Sequence, residues 1–188
     1  MTQTVTELCD RDNSQLVIID VQENLGKAMP TKVLNRVVLN TILLATAADL
    51  LKVPTLLTEQ YPNGLGETDE HVKAALNDFT KFEKTSFSVT GAPGFLANLE
   101  SNNRQQIILV GMEAHVCVLQ SAVSLQNAGY QVFVVEDAIC SRRLENYQNA
   151  LDRLRQAGVQ VISAESVTFE WLGDAKHEHF KAIQKSLR

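Results

Sequence analysis

One tryptophan, three tyrosines, four prolines and three cysteines are all that 188 residues contain of these types. Cys9, Cys117 and Cys140 are too few and too scattered for a disulfide framework or a zinc site. Reduced thiols and a cytoplasmic location are therefore expected. Basic residues are outnumbered, 17 Lys and Arg against 22 Asp and Glu for a net charge of −5. That balance gives no electrostatic footprint for nucleic acid or an anionic membrane, and neither is expected as a partner. No uninterrupted apolar run approaches the roughly eighteen residues of a spanning helix. The richest segment, Val33 to Leu51, is broken by Asn35, Arg36, Asn40 and Asp49 and reads as a buried amphipathic helix. The first thirteen residues have neither the basic head and apolar core of a secretory signal nor the arginine content of a transit peptide.

What is present is an ordinary globular composition, 45% hydrophobic and 21% charged. A chain of this length buries about 70% of its unfolded surface and needs no covalent staples. No linker, repeat or low-complexity stretch interrupts it, so residues 1–188 read as a single domain with its core over about 15–180.

Short β-branched runs alternate with longer helical patterns. Strands are expected at 16–19, 55–58, 80–83, 107–110, 131–135 and 159–162. Helices are expected over 33–51, 68–77, 114–127 (ended by Gly129), a segment carrying Leu144, Tyr147, Leu151 and Leu154 and capped by Gly158, and 166–187. Several of the strands are apolar throughout, which is the pattern of a sheet covered on both faces. The expected fold is α/β, a three-layer sandwich of six mainly parallel strands with helices on both sides. In such folds ligands sit at the carboxyl ends of the strands, near the switch in strand order.

Three residues stand at such ends. Asp20 follows the first strand, Lys84 follows the third, and Cys117 lies in the turn-to-helix segment after the fourth. Each alone has a bland reading: a strand-terminating Asp bonded to its own turn, a solvated loop Lys, a buried small thiol. Together they make a chemically complete set. A helix N-terminus and a nearby ammonium favour a thiolate, and a carboxylate can take the thiol proton and return it to a leaving group. A phosphatase loop of the Cys-x5-Arg type is excluded, because the sixth position after Cys117 is Val123.

The segments Val17-Ile18-Ile19-Asp20-Val21-Gln22, Glu83-Lys84-Thr85-Ser86-Phe87-Ser88 and Val110-Gly111-Met112-Glu113-Ala114-His115-Val116-Cys117-Val118 resemble the isochorismatase-like cysteine hydrolases, as do Gly129 to Ala138 and Gly158 to Val161. The likeness runs from about Gln15 to Phe180. It implies a catalytic triad of Asp20, Lys84 and Cys117. It also implies a cis peptide at Met112–Glu113 that aims the Glu113 N–H, with that of Cys117, into an oxyanion hole, the Glu113 carboxylate playing no part.

Nicotinamidases of this family hold a metal through an Asp and histidines after the second strand. The stretch Thr58 to Gly64 here has neither residue type, so no metal, no cofactor and no nicotinamidase activity are expected. Isochorismatase itself lacks the nucleophilic cysteine, and the chain looks most like the small isochorismatase-domain hydrolases. His177 and His179, two apart, are expected on different sides of a helix. Gln60, Tyr61, Phe87 and His115 are candidate pocket residues, Asp137 a candidate helix cap, and Cys9 and Cys140 inert thiols.

The expected function is a metal-free hydrolase acting on a small-molecule amide or ester through a thioester on Cys117. The alternative is a non-catalytic or oligomer-forming binding protein on the same scaffold. The apolar helix 116–125 and the family resemblance both point to a homo-oligomer.

Overall fold

The computed structural model describes residues 7–187; the part of the N-terminal signal reading that rests on residues 1–6 lies outside them. The elements in chain order are β1 (Ser14–Ile19), α1 (Glu23–Gly26), α2 (Thr31–Leu51), β2 (Thr55–Gln60), α3 (Pro62–Leu65), α4 (Glu70–Ala74) and β3 (Thr80–Lys84). There follow α5 (Phe95–Ser101), β4 (Gln106–Met112), a π-helical turn (Ala114–Val118), α6 (Leu119–Asn127) and β5 (Gln131–Cys140). The chain ends with α7 (Leu144–Gln156), β6 (Gln160–Ile162), α8 (Ala164–Leu172) and α9 (Phe180–Ser186).

All six strands form one parallel sheet in the order β3-β2-β1-β4-β5-β6. The two-residue period of a strand sends alternate side chains to opposite faces. Leu16 and Ile18 of β1 join Ile108, Val110, Phe133 and Val135 in one core, closed by α2, α4, α8 and α9. Val17 and Ile19 join Ile107, Leu109, Val132 and Val134 in the other, closed by α5, α6 and α7. This is the sandwich read from the fully apolar strands.

Helix α2 has the length and composition of a membrane span, with a mean hydropathy of 1.4 over its apolar window. Its stripe of Val37, Thr41, Leu44, Ala45 and Ala48 is buried beneath the sheet and α8, so it serves here as a core helix.

The direction in which strands are added reverses between β1 and β4, all of them staying parallel. The first three strands step outward one way and the last three step the other, which opens a crevice beyond the carboxyl ends of β1 and β4. The two strands approach closely there. Gly111 sits at φ +118, and a Cβ on it would collide with the Ile19 carbonyl, so no other residue fits. The ladder with β5 shifts register at this point, pairing Gly111 with Ile139.

Several boundaries differ from expectation. β5 continues past Val135 to Cys140 because the register shift lets the polar pair Glu136-Asp137 pass within the strand. The helix expected over 68–77 shortens to α4, capped by Asp69, whose carboxylate accepts the N–H groups of His71 and Val72. The C-terminal helix breaks in two at Gly173, which takes φ +67. His177 and His179 therefore lie in a turn before α9, not on a helix, with ring centroids 5.6 Å apart. The helix expected from Ala114 opens with a wide π turn, in which Val118 N–H reaches back to the Glu113 carbonyl. Its residues Val118, Leu119 and Leu125 are buried within the chain, while Val116 and Val123 are half-buried.

Candidate active site

The end of β1 is held by β2. Asp20 adopts φ +51, a left-handed conformation that Asp tolerates better than most residues, and donates its N–H to the Thr58 carbonyl at 3.1 Å. Its carboxylate is fully buried and doubly bonded. Oδ1 accepts from the Thr58 hydroxyl at 2.7 Å and Oδ2 from Lys84 Nζ at 2.7 Å. Both side chains of the Asp20–Lys84 ion pair are shut off from solvent.

Lys84 reaches this position as the last residue of β3, in register with Gln60 of β2. Its Nζ faces four acceptors: Asp20 Oδ2, Gln60 Oε1 at 2.7 Å, and the carbonyls of Ser86 and Phe87, each at 3.2 Å. A buried ammonium needs such company, since removing it from water costs several kcal/mol. The Gln60 side chain binds both Lys84 and Thr85.

The thiol comes from β4. After Gly111 the Met112–Glu113 peptide is cis, and the π turn carries Cys117, 5% exposed. Burial pushes the Cys117 thiol up to about 12, and the Asp20 charge and hydrogen bond add to that. The Lys84 charge and the Glu113 N–H pull the other way without prevailing. The resting side chain is therefore a thiol beside the Asp20 carboxylate. This corrects the expectation of a depressed thiol: desolvation and a nearby anion outweigh the ammonium and the helix start. Cys140 is likewise pushed up to about 12 by burial, and Cys9 still further.

Neighbouring groups brace the thiol-bearing turn. The Glu113 carboxylate is buried and turned to Arg142, accepting the Arg142 N–H at 3.0 Å and Nε at 3.2 Å. His115 Nε2 faces the Asn146 amide nitrogen at 3.3 Å and Nδ1 faces the Ser141 hydroxyl at 2.9 Å. With Asn146 donating, the ring proton belongs on Nδ1, so His115 ties the turn to Ser141 and to the first turn of α7. Tyr61 and Phe87 are 55% and 53% exposed; Tyr61 donates its N–H to the Lys84 carbonyl, and Phe87 follows Lys84 by three residues. Asp137 caps a helix, accepting the Ala164 N–H at 2.8 Å at the start of α8.

Sequence reasoning brought Asp20, Lys84 and Cys117 to one place and missed what supports them. Gln22 and Thr58 stand in family-like segments but are given no role by them, and Arg142 stands in none. A strand register would have revealed Thr58, which pairs with Ile19 beside Asp20.

Among the described residues, no three His, Cys, Asp or Glu side chains converge as metal ligands would. Two surface cavities of about 280 and 290 Å³ open at the opposite end of the sheet, against Thr55 and Thr80 and against Gln131 and Gln160. The buried polar groups at the carboxyl ends of β1, β3 and β4 are the chemically equipped place.

The family model for the isochorismatase domain matches residues 14–166. Isochorismatase domain-containing protein 2 of Xenopus laevis is 37% identical over 174 residues, covering 92% of this chain and 82% of the frog protein. The MAR1 ribonuclease structure from Caenorhabditis elegans superposes with a TM-score of 0.90 at 35% identity, over 96% of this chain and 92% of that one. The Escherichia coli YcaC gene product, an octameric hydrolase of unknown specificity, superposes with a TM-score of 0.88 at 23% identity, over 98% and 91% of the two chains. With the domain match spanning most of its length and the fold shared throughout, the chain belongs to the isochorismatase family and is a hydrolase of that family.

Proposed function

We propose that the protein is a cysteine hydrolase that needs no metal and cleaves a small amide, or an ester, through Cys117, Asp20 and Lys84. One observation carries the reading: a solvent-free Asp20–Lys84 ion pair whose charges both act on the buried Cys117 thiol at the switch in strand order.

Asp20 takes the thiol proton as Sγ attacks the substrate carbonyl. The pair Cys-SH and Asp20 carboxylate becomes thiolate and carboxylic acid, with Lys84 positive throughout, so the net charge of the buried site is unchanged. The carbonyl oxygen takes the negative charge and is met by the backbone N–H groups of Glu113 and Cys117, each worth on the order of 3 kcal/mol to a tetrahedral intermediate. Collapse expels the amine or alkoxide, which leaves with the proton from Asp20. Water, deprotonated by Asp20, then attacks the thioester, and the sulfur departs with that proton as the thiol. The acid leaves.

A thiol that is protonated at rest suits this sequence, because the nucleophile is generated only when a carbonyl stands ready to receive it. RNA cleavage, the activity named for the nematode protein, fits less well with a chain of net charge −5. Three free, buried cysteines suit a reducing cytoplasm. Exposed Leu39 and Leu144, 65% and 64% accessible, suit a homo-oligomer, as does the octamer named for the YcaC protein; sedimentation of the purified chain at the monomer mass removes that part.

The test is intact mass spectrometry of the protein mixed with a panel of small amides and esters. An acyl adduct on Cys117, absent from Cys117→Ala, is the expected result. An accepted substrate hydrolysed at full rate by Cys117→Ala overturns the reading and leaves the binding-protein alternative.

A further inference from the structure

We infer that Gln60 is a positioning residue, whose side-chain carbonyl holds the Lys84 ammonium against Asp20 so that Lys84 acts as a fixed charge and only Asp20 exchanges protons with Cys117. The inference rests on the cysteine-hydrolase reading and assigns a group outside the three reacting side chains.

Gln60 is itself fixed at both ends. The Gln22 side chain grips its backbone, accepting the Gln60 N–H on Oε1 at 2.7 Å and donating Nε2 to the Gln60 carbonyl at 3.1 Å and to the Gly66 carbonyl at 2.6 Å. The Gln60 amide nitrogen donates to the Thr85 carbonyl at 2.8 Å. That bond settles which way the amide points, and leaves Oε1 facing Nζ at 2.7 Å.

The ammonium has three hydrogens and four acceptors. Asp20 and Gln60 hold the two shorter contacts, and the carbonyls of Ser86 and Phe87 share the third hydrogen. No hydrogen remains for a substrate. The neutrality of Gln60 matters as much as its reach. A carboxylate at the same place would compete with Asp20 for the ammonium and would add a negative charge near the forming thiolate. Position 60 thus keeps the ion pair one-to-one.

Alkylation of Cys117 by iodoacetamide, followed by peptide mass spectrometry between pH 7 and 10, reads this without any turnover. The groups acting on the thiol are Asp20 beyond β1, Lys84 on β3 and the Glu113 N–H on its own turn. The nearby Glu113 carboxylate is paired with Arg142, and His115 with Ser141 and Asn146. Gln60→Glu is expected to slow Cys117 alkylation about tenfold or more throughout the range, and Gln60→Leu about threefold, while Cys9 and Cys140 stay protected. Rates in both variants within twofold of the parent, with Cys9 and Cys140 still protected, overturn the assignment. If Gln60→Glu unfolds, shown by labelling of Cys9, Gln60→Leu decides alone. Failure of the hydrolase reading appears elsewhere, as full amide turnover by Cys117→Ala.

Discussion

Thr58 and Asp20 are joined twice, by the Asp20 N–H on the Thr58 carbonyl at 3.1 Å and by the Thr58 hydroxyl on Asp20 Oδ1 at 2.7 Å. The second bond satisfies the carboxylate oxygen that Lys84 leaves free. Thr58→Val keeps the shape and the backbone bond but strands that oxygen away from water. The expected cost is about 1–3 kcal/mol of folding stability, measured by urea denaturation. Thr58→Ser restores most of it. Equal stability of the valine variant and the parent contradicts the role.

The buried Asp20–Lys84 pair should behave as a unit. Lys84→Met leaves a carboxylate buried without its counter-charge, at about 3–5 kcal/mol. Combining it with Asp20→Asn removes the stranded charge. The double variant is expected to be more stable than Lys84→Met alone, and a thermodynamic cycle in denaturant shows the coupling. Strictly additive losses contradict it.

Alkaline pH should weaken the fold. The Cys117 and Cys140 thiols stand at about 12 in the folded chain against an ordinary value of 9.0, and Cys9 is raised as well, burial leading in each case. A folded-state value above the unfolded one means the native chain holds protons that the unfolded chain releases between the two. Their contribution is complete below pH 9 and is lost as pH climbs toward 12. Urea midpoints at pH 8, 9 and 10 are expected to fall in that order for the parent, and less steeply for Cys9→Ala/Cys140→Ala. The same displacement makes Cys117 alkylation rise about tenfold per pH unit through pH 9 without a plateau.

Gly111→Ala tests the approach of β4 to β1. The added methyl meets the Ile19 carbonyl, and φ +118 is foreign to alanine. The variant is expected to fail to fold, or to melt far below the parent, by circular dichroism. A melting temperature within a few degrees of the parent would show that the strands can part there.

The sheet was legible because Leu16 to Ile19 and Ile107 to Val110 are apolar on both faces, a pattern that only a covered parallel strand needs. The far half of β5 was hidden because its apolar run stops at Val135, and only the register shift at Gly111 gives Glu136 and Asp137 a place within the strand. Gly173 was visible in the sequence as a helix stop, yet the apolar residues on either side outweighed it. In the site, Asp20, Lys84 and Cys117 could be found because each lies at or shortly after the carboxyl end of a strand. Thr58, Gln22 and Arg142 act on neighbours distant in sequence, so a local motif could hold a residue such as Gln22 without showing what it does. The thiol's acidity was misjudged for a related reason: its desolvation comes from the packed surroundings, not from its helix.

The order β3-β2-β1-β4-β5-β6 has a consequence for synthesis. A nascent chain that stops short of β4 already holds β1, β2 and β3, but one margin of β1 is then open. That margin carries unpaired amide groups along a fully apolar strand, a template for adhesion to other chains. Ribosome-stalled products ending near residue 100 should therefore depend on chaperones far more than the finished protein does.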